Sequence, residues 1–331
     1  MVRKVHLMNQ INNNPDEFVL LAGNGNMKLA QEIGKILKKE VTNPVTYFSD
    51  GEVRVKGIPN LRRRPVFILQ PTTPPVNDHL MELLLIIDAA RRAAASEITA
   101  VLPYFGYARQ DRKEQPRVPI SASVVANMIR RSGADRILTV DVHTEQAQGF
   151  IQCAWDNLYA SYALIPEIKK RKLSNVTVVS PDKGGVPRAT SYAGLLGVDD
   201  VAIVYKQRDL HVNNKSEAFA MIGEVEGRDL LLVDDMLDSG GTIFSAVEHL
   251  ASYKPKSIRV VVTHGLFTGK ALERLSASQV EEIIVTDSVD HREEVLAHPK
   301  VTVVSIAPLM AEAIHRVQTG DSISEGLILH S

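Results

Sequence analysis

The segment richest in chemistry is Leu230-Leu231-Leu232-Val233-Asp234-Asp235-Met236-Leu237-Asp238-Ser239-Gly240-Gly241-Thr242, which runs on into a helical pattern through Leu250. Its leading apolar residues, Leu230 to Val233, read as a buried strand that empties into a glycine-rich turn. Gly240 and Gly241 permit positive backbone torsions and close approach, so the amides of Ser239 to Thr242 and the start of the next helix can converge on an anion. Ser239 and Thr242 add hydroxyl donors. A helix dipole contributes roughly 0.3 to 2 kcal/mol to such an anion, so specificity rests on directed hydrogen bonds. Carboxylates crowding a phosphate cradle repel the ligand unless they have another task. Asp234 and Asp235 are suited to accept hydrogen bonds from vicinal hydroxyls or to meet a metal, which makes a sugar phosphate the fitting ligand. The plainer reading is a strand end followed by an Asp-rich helix cap. The sequence holds no G-x-x-x-x-G-K-[ST] run, so the turn is not a Walker loop.

Other stretches carry groups of the same kind. Arg109, in Tyr107-Ala108-Arg109-Gln110-Asp111-Arg112-Lys113, offers planar, permanently charged donors suited to triphosphate oxygens, and Gln110 can read an adenine edge or brace the loop. The alternative for this run is a solvated loop of mixed charge. Phe48 in Phe48-Ser49-Asp50-Gly51-Glu52 can stack on a purine, while Asp50 and Glu52 can accept from its amino group or from ribose hydroxyls. The same residues also make an Asp-Gly turn joining two strands. His143 and Asp182 each follow a strand end and could meet at one metal, although a lone His is more often packed or solvated. Lys206 and Arg208 alternate just beyond a strand, where they can be aimed together at charge developing on a phosphoryl group or can form a solvated basic turn.

Val233 to Thr242 resembles the ribose phosphate loop of type I phosphoribosyltransferase folds. That resemblance implies that Asp234 and Asp235 hold the ribose 2- and 3-hydroxyls, and that Asp238, Ser239, Gly240, Gly241 and Thr242 hold the 5-phosphate. Together with Phe48 to Glu52, Pro103 to Lys113, Thr139-Val140-Asp141-Val142-His143 and Ser180-Pro181-Asp182-Lys183-Gly184-Gly185, it extends along essentially the whole chain to ribose-phosphate pyrophosphokinases. The implied reaction moves diphosphate from ATP to ribose 5-phosphate and releases AMP. ATP is then bound by Arg109, Gln110, Asp111 and Arg112, and by a loop of Phe48, Asp50, Gly51 and Glu52 that reaches the ATP of a neighbouring subunit. A homo-oligomer follows, a hexamer built from dimers in this family. His143 and Asp182 are implied to hold Mg²⁺ at the ATP phosphates. Because Mg²⁺ prefers oxygen and keeps waters, the His can act through water or position the nucleotide. Lys206 and Arg208 are implied to be catalytic, with Arg208 also on the sugar phosphate. The sequence departs from the family pattern at Gln207, where many members carry Arg, and at Lys183, where a small or apolar residue is usual.

Two rivals bear on this reading. A phosphoribosyltransferase that consumes the activated sugar would use Asp234 to Thr242 but leave the first-half set without purpose. A non-catalytic regulatory relative should have lost Lys206, Arg208, His143 or Asp182, and all four are present.

Positioning these residues requires a particular scaffold. Short β-branched runs alternate with longer helical patterns: Phe18 to Leu21, Val66 to Leu69, Ile98 to Leu102 and Ile137 to Val140, with helices over 27–38, about 77–95 and 121–132, the last stopped by Gly133. The pattern resumes at Val176 to Val179, Val201 to Tyr205, Leu230 to Val233, Ile258 to Val262, Ile283 to Val285 and Thr302 to Ile306. This predicts an α/β chain of two domains, which the resemblance implies are phosphoribosyltransferase-like, 1–158 binding ATP and 159–331 binding ribose 5-phosphate. Each is a mostly parallel sheet flanked by helices, with function in the loops at the carboxyl edge. A final helix over about 308–317 and an extended segment at Leu327 to Leu329 form a tail that can pack on the first domain. Gly23-Asn24-Gly25-Asn26 lacks the third glycine of a dinucleotide fingerprint and reads as a tight turn.

Bulk properties exclude several classes. With 331 residues and 44% hydrophobic content the chain can bury two ordinary cores. A formal net charge of -1 gives no global positive field for nucleic acid or an anionic membrane, so phosphate recognition must be local. The longest apolar stretch, Leu80 to Ala90, is broken by Glu82 and Asp88 and is too short for a bilayer. Cys153 is the only cysteine, which excludes an internal disulfide. The polar run from Asn9 to Asn14 lacks the character of a secretory signal, and a cytoplasmic location is expected.

Overall fold

A computed structural model describes residues 17–207 and 218–327. The first half contributes strands β1 (Val19–Ala22), β2 (Val41–Thr42), β3 (Val45–Tyr47), β4 (Val53–Val55), β5 (Pro65–Leu69), β6 (Glu97–Leu102), β7 (Arg136–Val140) and β8 (Ala154–Leu158). Its helices are α1 (Met27–Leu37), α2 (Val76–Arg92) and α3 (Ser121–Ser132). Six of the strands form a parallel sheet in the order β2-β1-β5-β6-β7-β8, while β3 and β4 make a separate antiparallel hairpin. The second half contributes helices α4 (Ser161–Lys169), α5 (Val186–Leu196), α6 (Gly241–Ala251), α7 (Ala271–Ala277), α8 (Glu293–Leu296), α9 (Ala307–Thr319) and α10 (Ser324–Leu327). Its strands are β9 (Val176–Ser180), β10 (Val201–Gln207), β11 (Ala218–Ile222), β12 (Asp229–Leu237), β13 (Ser257–Gly265), β14 (Glu282–Thr286) and β15 (Val301–Val304). They form one sheet in the order β11-β10-β9-β12-β13-β14-β15, antiparallel only at the β11 edge.

The period-two alternation of the strands explains where the cores sit. On β1, Val19 and Leu21 face one layer while Leu20 and Ala22 face the other; β5 divides Val66 and Ile68 from Phe67 and Leu69 in the same way. One face of the first sheet lies under α2 and α3, and one face of the second lies under α6 and α7. The remaining faces of both sheets close on a single continuous core filled by α1, α4, α5 and α9. Both faces of each sheet are therefore covered, which is why the strands read as near-continuous apolar runs. Helix α9 belongs to this shared core, and just before it Ser305 Oγ donates to Glu32 Oε2 of α1 at 3.1 Å.

Local signals act as their chemistry requires. Asn26 caps α1 by accepting from the Leu29 amide at 3.0 Å, and Gly133 ends α3 with φ +128°. The turn from Gly23 to Asn26 packs against the side chain of Gln70, where a Cβ on Gly23 would sit 2.4 Å from Gln70 Oε1. Three details differ from the sequence expectation. Strand β12 runs on to Leu237 and β10 to Gln207, so Asp234, Asp235 and Lys206 lie within strands rather than in the loops after them. The extension of β12 is supported by parallel pairing of Asp234 with Val262 and of Met236 with His264. Leu327 closes a short helix instead of opening an extended segment, and residues 328–329 lie outside the described residues.

Candidate active site

The end of β12 is the centre of the site. Asp235 continues the face of Leu231 and Val233, which points into the shared core, and so meets residues of the other sheet. His143, just after β7, lies with Nδ1 2.7 Å from Asp235 Oδ2. Arg188 on α5 closes the other side, with Nη1 3.5 Å from Asp235 Oδ1 and 3.6 Å from Asp234 Oδ1. Burial raises the Asp235 carboxyl, but the His143 hydrogen bond and the Arg188 charge outweigh it and hold the group well below its usual range. Asp234 is pushed up by burial and then by the negative charge of Asp235 beside it. The carboxylate oxygens of both residues can accept from the two hydroxyls of a vicinal diol. The hydrogen bond to Asp235 raises the His143 imidazole against the opposing effect of burial.

The two sheets are fastened directly beneath these groups. Thr263 Oγ1 of β13 donates to Asp141 Oδ2 at 2.5 Å, and His264 Nε2 lies 3.1 Å from the Val140 carbonyl and 3.2 Å from that of Asp141. Burial lowers the His264 pKa, so its ring stays neutral and Nε2–H donates across the junction. Asp141 carries φ +39°, a left-handed torsion that a non-glycine residue keeps only when its surroundings fix it.

Beyond β12 the chain enters the glycine-rich turn that leads into α6. Gly240 has φ +75°, and a Cβ there would come within 2.3 Å of the Phe244 ring, so both torsion and space demand glycine. The amides of Gly240, Gly241 and Thr242 have no partner among the described residues, as expected at the start of a helix. Asp238 is engaged from both sides: Arg109 Nη1 donates to its Oδ2 at 2.7 Å and Thr268 Oγ1 donates to its Oδ1. Burial raises the Asp238 carboxyl, but these two donors prevail and lower it.

The other expected site residues are distributed as follows. Gln110 braces its loop, accepting at Oε1 from Ser121 Oγ and at its carbonyl from the Ala122 amide at 3.2 Å. Asp111 is half-buried and Arg112 is exposed. Phe48, Asp50, Gly51 and Glu52 form the tip of the β3–β4 hairpin, the Asp-Gly turn anticipated from sequence. There Phe48 is 48% exposed under the Arg54 guanidinium, and Glu52 N donates to Asp50 Oδ1 at 3.1 Å. Asp182 turns the chain into α5 by accepting from the Gly185 amide at 2.9 Å, and no hydrogen bond joins it to His143. Lys206 pairs with Phe219 in the β10–β11 ladder, and Arg208 lies outside the described residues. Sequence reasoning missed Arg188, Thr268 and Asp141. Arg188 carried one faint signal, an arginine on the first turn of a helix directly after the Asp182 turn.

As a test for metal, the donors are informative. Among the described residues no group of three or more His, Cys, Asp or Glu side chains is gathered as a metal cage. Asp182 Oδ2 and His143 Nε2 nevertheless remain without hydrogen-bond partners among the described residues, which suits a cation that takes most of its ligands from water and phosphate.

Two mostly parallel sheets that share a core, with a glycine turn and an acid pair at the carboxyl edge of one and Arg109 and His143 delivered from the other, are the fold and site of an α/β enzyme. Residues 18–133 match the family described as the N-terminal domain of ribose phosphate pyrophosphokinase, and residues 209–327 match the phosphoribosyl synthetase-associated domain. The ribose-phosphate pyrophosphokinase of Helicobacter hepaticus is 44% identical over 308 residues, covering 93% of this chain and 98% of that protein. That of Vibrio parahaemolyticus is 47% identical over 307 residues, covering 92% and 97%. The crystal structure of phosphoribosylpyrophosphate synthetase from Mycobacterium smegmatis superposes with a TM-score of 0.86 at 38% identity, covering 92% of this chain and 99% of that one. The chain belongs to the ribose-phosphate pyrophosphokinase family.

Proposed function

We propose that this enzyme transfers the β,γ-diphosphoryl group of ATP to the 1-hydroxyl of ribose 5-phosphate, giving 5-phosphoribosyl 1-diphosphate and AMP for nucleotide biosynthesis. The observation that carries the reading is the Arg109–Asp238 ion pair at 2.7 Å, which sets a guanidinium of the first half against the anion cradle of the second.

In this reading residues 1–158 form the ATP unit and residues 159–331 the sugar-phosphate unit, with the tail from about 308 packed on the first. The backbone amides of Gly240, Gly241 and Thr242 and the hydroxyls of Ser239 and Thr242 hold the 5-phosphate. Asp234 and Asp235 hold the ribose diol, leaving the anomeric hydroxyl aimed at the nucleotide. Arg109 and Arg112 grip the ATP phosphates, with Gln110 and Asp111 shaping their loop. Phe48, Asp50, Gly51 and Glu52 reach the adenosine of a neighbouring subunit, consistent with an exposed aromatic hairpin tip, in a homo-oligomer that is a hexamer built from dimers. Asp182, and His143 through water, would hold Mg²⁺, whose chemistry there is neutralisation of phosphate charge.

The anomeric oxygen attacks the β-phosphorus, its proton passes to water, and the bond from the β-phosphorus to the α,β-bridging oxygen breaks to release AMP. Lys206 and Arg208 stabilise the charge on the transferring group. Catalysis is positioning and electrostatics, with no covalent enzyme intermediate. The enzyme acts in the cytoplasm, and no described helix is long and apolar enough to cross a membrane.

Phosphorus NMR of the protein with ATP, ribose 5-phosphate and Mg²⁺ tests the reaction. The expected products are AMP and the 1-diphosphate; ADP in their place would mean a simple kinase.

A further inference from the structure

Arg274 stands on α7, outside every motif that pointed to the site, yet its Nη1 donates to the Ser239 carbonyl at 3.0 Å. No ion pair competes for this guanidinium among the described residues. The same nitrogen lies 3.5 Å from where a Cβ on Gly241 would sit, so the side chain reaches the outer wall of the phosphate turn.

From this contact we infer that Arg274 is a positioning residue that fixes the orientation of the Ser239–Gly240 peptide, so that the Gly240 amide faces the sugar phosphate. The inference rests on the reading of this turn as the 5-phosphate site. In a trans peptide the carbonyl and the following N–H point to opposite sides. Gly240 has φ +75° and, being glycine, can exchange left-handed for right-handed torsions at little cost, so this peptide plane is free to turn over. Turned over, it would place the Ser239 oxygen in the cradle, where it repels phosphate, and would withdraw the Gly240 amide. A charge-assisted hydrogen bond from Arg274 holds the oxygen on the α7 side and opposes that exchange.

The approach is open to solvent. A cavity of about 550 Å³ runs between α6 and α7, lined by Gly241, Phe244, Glu248, Arg274 and Ser278. A small cation can therefore enter from outside and take the place of a deleted guanidinium.

The test uses the full-length enzyme carrying Arg274→Ala or Arg274→Lys. The alanine variant is expected to raise the KM for ribose 5-phosphate about tenfold, the scale of one charge-assisted hydrogen bond, with the KM for ATP changed less than about twofold. Millimolar guanidinium should recover much of the loss, and lysine should recover part of it. With ¹⁵N-glycine labelling, the Gly240 amide resonance should shift on sugar-phosphate binding in the wild type and lose most of that response in the alanine variant. An unchanged KM for ribose 5-phosphate, an equal rise in both KM values, or no rescue by guanidinium would overturn the assignment. If the wild type forms no AMP the reaction reading fails. Calorimetric binding of ribose 5-phosphate to wild type and Arg274→Ala would then still decide the role of Arg274.

Discussion

His143 Nδ1 and Asp235 Oδ2 stand 2.7 Å apart across the junction of the two sheets, although 92 residues separate them in sequence. His143 follows β7 of the first sheet and Asp235 lies in β12, the central strand of the second, so the contact exists only when both halves are docked. A double-mutant cycle with His143→Ala and Asp235→Asn should give a coupling energy of about 1 kcal/mol or more in ribose 5-phosphate binding. Strictly additive losses would mean that the pair does not act as a unit.

Gly240→Ala should be among the most damaging single changes to sugar binding. The substitution places a Cβ at φ +75° and within 2.3 Å of the Phe244 ring, so the turn must move. The cost is about 1 to 3 kcal/mol, seen as a rise of tenfold or more in the KM for ribose 5-phosphate. The KM for ATP should remain close to that of the wild type.

Lys206→Ala should lower kcat by about a hundredfold or more while the dissociation constant for ribose 5-phosphate changes less than about threefold. Equal losses in turnover and binding, measured by steady-state kinetics and calorimetry, would remove Lys206 from its assigned role.

Asp229 offers a pH test away from the site. At the opposite end of β12 it accepts from Lys256 Nζ at 2.8 Å, Ser257 Oγ at 2.7 Å and the Ser174 amide at 3.0 Å. Burial raises its carboxyl, but these donors, Lys256 foremost, hold it down to about 2. A depressed carboxylate stabilises the fold above its unfolded pKa near 4 and loses that contribution as pH falls through the folded value. Asp229→Asn should therefore cost about 2 kcal/mol near pH 7 in denaturant unfolding, and the difference from wild type should shrink between about pH 4 and pH 2. Both KM values should be unaffected.

The sequence by itself determined the alternating α/β architecture, because strands buried on both faces must be apolar throughout and helices between them must be amphipathic. It also determined the glycine turn before α6, since the positive torsion of Gly240 is a local property of that residue. The lengths of β10 and β12 were not legible: Asp234, Asp235 and Lys206 look like loop residues by type, and for the two acids His143 and Arg188, from other elements, make a strand position tolerable for a buried carboxylate. Only the tertiary structure decided which partner each of these arginines meets. Arg109 with Asp238, Arg188 with the acid pair and Arg274 with Ser239 are encounters between segments remote in the chain. Charge type and spacing along a sequence do not encode such meetings; the docking of two sheets on one shared core does.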